Sequence, residues 1–344
     1  MATEPLDQFA DRTAELRDLR DANMRLAQQL FKAKQRNERL IEAAHEGAYD
    51  AMIALGRVQP VKPAKPGRVG DGSPEVAMWI MGDWQLGKKT VDYNSQIARD
   101  RALRFAEKAV KITGMQRAAR PVDHCVITFG GDMVEGACFQ FPSQPFEIDS
   151  TIFDQYVATA RLLADVVRLA LSTYSTVEVV AEWGNHGRIG SKRDSLPRSD
   201  NVDRMCFALA REILGTQDRL VWEDGEDDIQ RVEIGNYRAL LIHGDEIGRG
   251  GFASPMTIVR HADRWASGAY PWAFTDVLIH HYHQHQEWGM ANGRGHVYMT
   301  GSLESSNRYA RDTMAASAEP SQRLHFIDPV RGRVTASYQI YVGD

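Results

Sequence analysis

Residues 75–344 alternate between short apolar runs and longer stretches in which apolar residues recur at helical spacing. The first kind of pattern predicts strands and the second predicts helices. Strands and helices alternate at first, and consecutive strands dominate later. This order predicts an α/β fold with two stacked mixed β-sheets flanked by helices. Predicted strands cover 76–82, 125–130, 177–182, 219–223, 230–234, 237–243, 276–281, 296–301, 324–327 and 334–341, and predicted helices cover 96–114, 151–172, 201–214 and 255–265.

The N-terminal residues 6–55 contain no proline, and Gly47 is their one glycine. Charged residues and alanines dominate, which predicts one long helix. A heptad register is sustained in it, with Leu16, Asn23, Leu30, Asn37 and Ala44 at a and with Leu19, Leu26, Ala33 and Leu40 at d. This pattern predicts a coiled coil through which the chain self-associates, and the asparagines favour a parallel dimer. A helix folded back on its own domain is the alternative, and the number of strands stays open.

A linker separates this helix from the rest of the chain. Residues 57–74 read RVQPVKPAKPGRVGDGSP and show no apolar period. Proline and glycine at this density indicate an irregular segment. We therefore predict an oligomerisation helix at 1–56, a linker at 57–74 and an α/β domain at 75–344.

Composition narrows the class of protein. The 344 residues are 43% hydrophobic and carry a net charge of -5, which is typical of a globular protein and argues against a broadly basic surface. No apolar run approaches the roughly 18 residues of a membrane-spanning helix, and no secretory leader is apparent. Cys125, Cys138 and Cys206 have no metal-binding or disulfide spacing. We expect a cytoplasmic protein that makes no membrane contact.

Several predicted strands stop at residue types that bind metals, and ligands of α/β folds bind at strand ends. The polar segments at these ends are Asp83-Trp84-Gln85, Gly131-Asp132, Gly184-Asn185-His186, His243-Gly244-Asp245 and His281-Tyr282-His283. Their order resembles the signature D-x-H, G-D, G-N-H, H, G-H-x-H of the calcineurin-like metallophosphoesterase superfamily. The resemblance spans about residues 76–303. The motif surroundings look like those of the phage-encoded phosphoesterases described as DNA-repair exonuclease homologues, which implies host cytoplasm if this chain is phage-encoded.

The resemblance implies a centre with two divalent metal ions. Asp132 would bridge them, because a carboxylate between two cations offsets their repulsion. Asp83, Gln85 and His283 would complete one site, and Asn185, His243 and His281 would complete the other. Carboxylate, amide and imidazole ligands together suit Mn²⁺, with Fe or Zn²⁺ as alternatives. His186 would stay off the metals and protonate the leaving oxygen or orient the phosphate.

The sequence departs from the family pattern at three positions. Gln85 stands where the family has histidine, and an amide oxygen is a weaker ligand, so the first metal site is the less certain of the two. His280 replaces the glycine before H-x-H, which leaves His283 and His285 as a second possible pair, although His281 and His283 lie closer to the apolar run. Arg188 follows G-N-H where an acidic residue is common, which favours an anionic substrate.

Two basic segments suggest that the substrate carries phosphate. The loop 187–198 contains Arg188 and Arg193, which we expect to bind phosphate, because guanidinium groups pair with it in a bidentate manner. Residues 88–120 hold nine basic and three acidic side chains, a net charge of +6. We therefore expect a phosphodiesterase acting on nucleic acid or nucleotides, a nuclease included. The alternatives are a phosphomonoesterase acting on nucleotides or phosphoproteins, and a coiled-coil assembly protein with a degenerate phosphoesterase domain.

Overall fold

The computed structural model describes residues 19–20, 22–25, 28–29, 32, 60–62, 70–137, 144–189, 199–222, 225, 229–247, 253–291, 293, 295–304 and 319–343. The chain divides into two compact units, Met1–Gly56 and Arg57–Asp344. In the first unit the described residues are helical, but most of the predicted heptads lie outside the described residues. The coiled coil, the self-association and the boundaries at 56 and 74 stay predictions.

The second unit is an α/β structure built on two mixed sheets, as the alternating pattern predicts. The described strands are β1 (Val76–Met81), β2 (His124–Gly130), β3 (Thr176–Glu182), β4 (Leu220–Trp222), β5 (Gln230–Ile234), β6 (Tyr237–Ile242), β7 (Asp276–Ile279), β8 (Gln286–Gly289), β9 (His296–Met299), β10 (Ser321–Asp328) and β11 (Arg333–Tyr341). The described helices are α1 (Ser95–Arg117), α2 (Ile152–Thr173), α3 (Val202–Leu214) and α4 (Pro255–Arg264). Among the residues that the structure describes, no helix is both long and apolar enough to cross a membrane.

The first sheet has the strand order β11-β10-β1-β2-β3-β4, in which β1 to β4 are parallel and β10 pairs antiparallel with both β1 and β11. The second has the order β5-β6-β7-β9-β8, with β6, β7 and β9 parallel and antiparallel strands at both edges. Parallel neighbours end at the same edge of a sheet. Side chains that follow β1, β2 and β3 are therefore brought together, as are those that follow β6 and β7.

The sheets stack on each other through an apolar core. Val76, Met78 and Ile80 of β1 pack in one cluster with Val232 and Leu241 of the other sheet. The alternate residues of β1 face the helical layer, where the Trp79 ring meets Phe105 of α1 edge to face at 6.0 Å. All six β1 residues are buried, so this strand has no polar face. A continuous apolar run is what a strand covered on both sides requires.

Polar caps fix where the helices begin. The side chains of Asn94, Thr151, Asn201 and Ser254 each accept a hydrogen bond from a backbone N–H of the first turn of α1, α2, α3 and α4. A side-chain oxygen at this position satisfies an N–H that has no partner within the helix. These residue types are readable in the sequence, and the helix starts lie within one residue of their predicted positions.

The elements differ from the sequence prediction at several places. The first helix continues past Gly114 to Arg117, because Gly114 lies on an open face where nothing is within 4 Å of its Cβ direction. Strand β8 was not predicted, since it has four residues of mixed polarity at a sheet edge. Strand β7 ends at Ile279 rather than at 281. The histidines that follow β7 therefore lie on a loop, where their backbone can turn sharply.

Candidate metal centre

The predicted ligands follow directly after parallel strands of both sheets. Asp83 and Asp132 come two residues after β1 and β2, and Asn185 comes three residues after β3. In the second sheet, His243 follows β6 at once and His281 comes two residues after β7. The stacked sheets thus bring five separate chain segments to one edge of the fold.

The backbone at this edge is bent in an uncommon way. Among the described residues, the non-glycine residues with positive φ are Asp83 (50°), Gln85 (43°), Asp132 (51°), His281 (72°) and His283 (57°). Every one of them is a predicted metal ligand. A left-handed conformation costs a non-glycine residue roughly 1–2 kcal/mol. Strain of this kind persists where surrounding structure imposes it and is concentrated at functional sites.

Four donors converge around the His243 ring, and we call Asp132, Asn185, His243 and His281 the four-donor cluster. The Nε2 atom of His243 lies 3.1 Å from Asn185 Oδ1, 3.2 Å from Asp132 Oδ2 and 3.2 Å from His281 Nδ1. One ligand atom each from Asp132, His243 and His281 lies within 4.8 Å of the other two. This spacing allows one cation to contact all of them.

Hydrogen bonds on the far side of the cluster orient its donors. The backbone carbonyl of Gly130 lies 2.8 Å from His243 Nδ1 and accepts its proton, which leaves Nε2 facing the cluster. The backbone N–H of His186 donates to Asp132 Oδ1 at 2.7 Å, which leaves Oδ2 facing inward. A carboxylate, an amide oxygen and two imidazoles aimed at one point form a donor set that fits a transition-metal cation.

The charges in the cluster favour bound positive charge. Burial opposes ionisation of Asp132, but His243 and His186 hold its pKa well below the ordinary value, so the carboxylate is charged. Burial also lowers the pKa of His243, yet Asp132 outweighs it and raises that pKa well above the ordinary value. Burial and the neighbouring His243 lower the pKa of His281 to about 4. His281 is therefore neutral at pH 7, with a lone pair available to a cation.

The residues predicted for the first metal site make a different set of contacts. His283 Nε2 lies 3.3 Å from Gln85 Nε2 and 3.7 Å from Asp83 Oδ1. Lys88 Nζ donates to Gln85 Oε1 at 3.1 Å and lies 2.8 Å from Glu304 Oε1, and Glu304 Oε2 lies 3.2 Å from His283 Nδ1. Burial lowers the pKa of His283, but Asp83 and Glu304 raise it more strongly. Because the Gln85 oxygen already binds Lys88, this set does not fit a cation as the four-donor cluster does.

Asp83 contacts the four-donor cluster through the backbone. Both of its carboxylate oxygens accept from the backbone N–H of His281, at 3.2 and 3.0 Å. The carboxylate thus fixes the bend at which His281 turns toward the cluster. His285, the alternative partner of His283, lies apart from these contacts, where burial and the Arg323 guanidinium lower its pKa to about 3.

His186 lies beside the cluster and carries a proton. Its Nδ1 atom is 3.1 Å from the carbonyl oxygen of Glu135 and 3.2 Å from Oε2 of the same residue. Its Nε2 atom is 3.9 Å from Asp132 Oδ2. Burial lowers the pKa of His186, but Asp132 and Glu135 together raise it to about 9. The ring is therefore largely protonated at neutral pH, as a general acid requires.

Of the two predicted phosphate-binding arginines, Arg188 pairs with a carboxylate of the protein. Arg188 Nη2 lies 2.6 Å from Asp245 Oδ2, and both side chains are largely buried. A phosphate bound by Arg188 would share the guanidinium with that carboxylate. Arg193 lies outside the described residues, as do Lys192 and Arg198.

Most of the basic segment 88–120 binds groups of the protein itself. Lys88, Arg99 and Arg120 pair with carboxylates, and Arg101, Arg104, Lys108 and Arg117 donate to backbone carbonyl oxygens. These contacts hold α1 against its neighbours. Most of the positive charge in this segment is therefore already paired or hydrogen-bonded within the protein.

Several residues of the site carry no motif and were not predicted. Asp203, in the first turn of α3, accepts the backbone N–H groups of Met133, Val134 and Gly184 at 3.1, 3.2 and 2.9 Å. It thereby joins the loops that follow β2 and β3. Glu135, Lys88 and Glu304 were missed for the same reason, since each meets its partners only through the fold. An acidic residue two positions after a helix-capping asparagine was the one available signal, and it indicates only a helix start.

His280 explains why a glycine directly precedes the segments Asp83-Trp84-Gln85 and Gly131-Asp132. Its buried ring fills the space above Gly82 and Gly130, where a Cβ would lie 2.4 Å from His280 Nδ1 and 1.9 Å from His280 Cδ2. Any larger residue at either position would collide with the ring. The sequence showed His280 as a departure from a motif, and the structure shows it packed behind the strand ends.

No family model matches this sequence, and no curated protein matches it. Among solved structures, Vps29 complexed with zinc from Entamoeba histolytica is similar at 10% identity, covering 78% of this chain and 99% of that chain with a TM-score of 0.34. Yfce, a phosphoesterase from E. coli, is similar at 15% identity, covering 78% and 100% with a TM-score of 0.32. Purple acid phosphatase PPD1 from yellow lupin is similar at 11% identity, covering 79% and 55% with a TM-score of 0.36. We base no functional conclusion on likenesses of this size.

Proposed function

We propose that this chain is a metal-dependent phosphoesterase whose preferred substrates are phosphodiesters of nucleic acid or nucleotides. Nuclease activity is included in this proposal. The observation that supports this most directly is the four-donor cluster beside a protonated His186. Carboxylate, amide and imidazole donors gathered at strand ends are suited to a cation that must also bind substrate. A purely structural role does not require five strained backbone positions around the buried pair Asp132 and His186.

The four-donor cluster would hold a divalent cation, with Mn²⁺ proposed first and Fe or Zn²⁺ as alternatives. Such a cation supplies Lewis-acid chemistry, which stabilises the negative charge that develops on a phosphoryl group. The protein provides Asp132 Oδ2 and His243 Nε2 as inward-facing ligand atoms, and the other polar atom of each side chain is fixed by a hydrogen bond to a backbone group. It also provides a largely buried pocket in which charge interactions are stronger than in water.

His186 is the group that we propose donates the proton. Glu135 holds its Nδ1, so the proton on Nε2 faces the same side as Asp132 Oδ2, 3.9 Å away. As water forms a new bond to phosphorus, the P–O bond to the leaving alkoxide breaks, and an alkoxide leaves poorly unless it is protonated. A neighbouring imidazolium supplies that proton and contributes typically 10²–10⁴-fold in rate, on the order seen for general acids.

The pairing of nearby cations favours a diester over a monoester. Lys88 and Arg188, the basic side chains described close to the site, each bind a carboxylate of the protein. A phosphomonoester carries about -1.5 to -2 charges at pH 7, whereas a diester carries one. The less highly charged substrate needs less unpaired positive charge from the site.

Hydrolysis assays with a metal series test this proposal. With Mn²⁺, the purified chain should cleave bis-p-nitrophenyl phosphate and labelled single-stranded DNA faster than p-nitrophenyl phosphate. Asp132→Asn should lower the rate at least about 100-fold, in the range for loss of a metal-held electrostatic interaction, and should lower metal occupancy. The matched control is Asp218→Asn, because Asp218 is exposed.

Two other results would redirect the assignment. A marked preference for p-nitrophenyl phosphate would favour the phosphomonoesterase alternative. No hydrolysis of any of the three, together with no bound metal, would contradict the proposal and favour an assembly protein with a degenerate domain.

A further inference from the structure

Lys88, Gln85, His283 and Glu304 form a closed ring of polar contacts, which we call the lysine ring. Lys88 Nζ is 3.1 Å from Gln85 Oε1, Gln85 Nε2 is 3.3 Å from His283 Nε2, His283 Nδ1 is 3.2 Å from Glu304 Oε2, and Glu304 Oε1 is 2.8 Å from Lys88 Nζ. Gln85 is 2% exposed, and Lys88 and Glu304 are each 4% exposed. The lysine ring lies where the first of two metal ions would need its ligands.

The lysine ring fixes which way the Gln85 amide points. An ammonium group has three donors and no acceptor, so the atom of Gln85 that faces Lys88 must be the oxygen. The NH₂ group then faces His283. Turning the amide over would place two donors against each other in a buried site, where an unsatisfied polar group is unfavourable.

The fixed charge of Lys88 also opposes a second cation. Its ammonium is buried and neutralised by Glu304 at 2.8 Å, so the pair is retained as long as both partners stay in place. Removing one partner of a buried pair is strongly destabilising, because it leaves an uncompensated charge in the interior. A cation on His283 would meet the Gln85 NH₂ group and lie near this ammonium. Both groups carry positive charge or partial positive charge toward it.

We propose that Lys88 takes the place of the first metal ion, so that the centre holds one cation, in the four-donor cluster, and a fixed ammonium in the other half. The inference rests on the metal site of the proposed function. Asp83 then acts as a positioning residue, because both of its oxygens hold the backbone N–H of His281. It thereby supports the occupied half of the centre.

Metal counting on the full chain tests the inference. The chelator-stripped protein is titrated with Mn²⁺ by calorimetry, bound manganese is counted by mass spectrometry, and the electron paramagnetic resonance spectrum distinguishes an isolated ion from a coupled pair. We expect one tight ion per chain and an isolated-ion spectrum. The double variant Lys88→Met/Gln85→His, which removes the ammonium and restores an imidazole, should bind two ions and show the coupled spectrum.

Lys89→Met is the matched control, because Lys89 is the exposed neighbour of Lys88 in the sequence. It should bind one ion, as the wild-type chain does. Two ions of similar affinity in the wild-type chain would overturn the one-metal inference while leaving the hydrolase proposal intact. No bound ion would overturn both. The wild-type count decides the matter even if the double variant fails to fold.

Discussion

At the scale of single residues, the two oxygens of Asp132 have different partners. Oδ1 accepts the backbone N–H of His186 at 2.7 Å, and Oδ2 faces His243 Nε2 at 3.2 Å. One oxygen thus fixes the position of the proposed acid, and the other contributes to the four-donor cluster. Any change in the charge of Asp132 therefore changes the pKa values of both His186 and His243.

This coupling predicts how His186 responds to metal. In the metal-free chain its pKa is raised to about 9, since Asp132 and Glu135 outweigh burial. A cation on Asp132 offsets the carboxylate charge, so the pKa of His186 should fall when Zn²⁺ is added. NMR titration of the histidine ring protons measures this directly. The hydrolysis rate should fall as pH rises through the pKa of His186 in the metal-bound chain, because the protonated ring is the active form.

The variant His186→Ala separates acid catalysis from metal binding. It should retain metal and lower kcat by about 10²–10⁴-fold, the usual contribution of a general acid. His124→Ala is the control, since His124 lies at the start of β2, at the opposite end of that strand from Asp132. Loss of bound metal from His186→Ala would contradict the division between proton donor and ligands.

Sequence could indicate only some residues of this site. Asp132 and His243 were readable because each follows a strongly apolar run, at the edge where α/β folds bind ligands. By sequence, Lys88 belongs to a basic segment that we expect to meet the substrate. Its partner Glu304 lies more than two hundred positions away with no motif around it. No local pattern reports a contact between such distant residues.

At the scale of elements, helix α3 contributes to the site through its first turn. Asp203 accepts the N–H groups of Met133 and Val134 with one oxygen and that of Gly184 with the other. The same carboxylate therefore joins the loop that carries Asp132 to the loop that carries Asn185. The backbone N–H of His186, which donates to Asp132 Oδ1, is a second link between these loops, so the Asp203 contacts and this hydrogen bond together set their spacing.

Asp203→Asn should loosen both loops. Its NH₂ group would face at least one backbone N–H that now has an acceptor, and a buried donor left without a partner costs about 1–3 kcal/mol. Urea unfolding should show a loss of stability of that size, and Mn²⁺ affinity should fall. Asp218→Asn, on the exposed surface, is the control and should match wild type. Unchanged stability and affinity would show that Asp203 does not hold these loops.

The elements themselves were predictable where burial is uniform. All six residues of β1 are buried, and its apolar run marks both ends closely. Strand β8 reads QEWG, alternates between half-buried and exposed residues, and pairs only with β9. A short edge strand of this kind gains its structure from its neighbour, so its own sequence carries little signal.

At the scale of the whole molecule, the four-donor cluster draws equally on both sheets. Asp132 and Asn185 follow strands of the six-stranded sheet, and His243 and His281 follow strands of the five-stranded sheet. The alternating pattern predicted two sheets because each needs an apolar face to bury. It could not give their relative register, which decides whether these four side chains meet.

A cation bound to all four donors would tie the sheets together, so metal should raise thermal stability. A ligand at 100 times its dissociation constant stabilises the folded state by about 2.7 kcal/mol. Differential scanning calorimetry should therefore show a higher Tm with Mn²⁺ than after chelation, while Asp218→Asn responds as wild type does. Asp132→Asn removes the negative charge of a ligand on one sheet, His281→Ala removes a donor from the other sheet, and each should diminish the Mn²⁺-dependent rise. If His281→Ala keeps the full rise in Tm, His281 does not bind the cation. The cation would then be held by Asp132, Asn185 and His243, and it would not link the loop after β7 to the site.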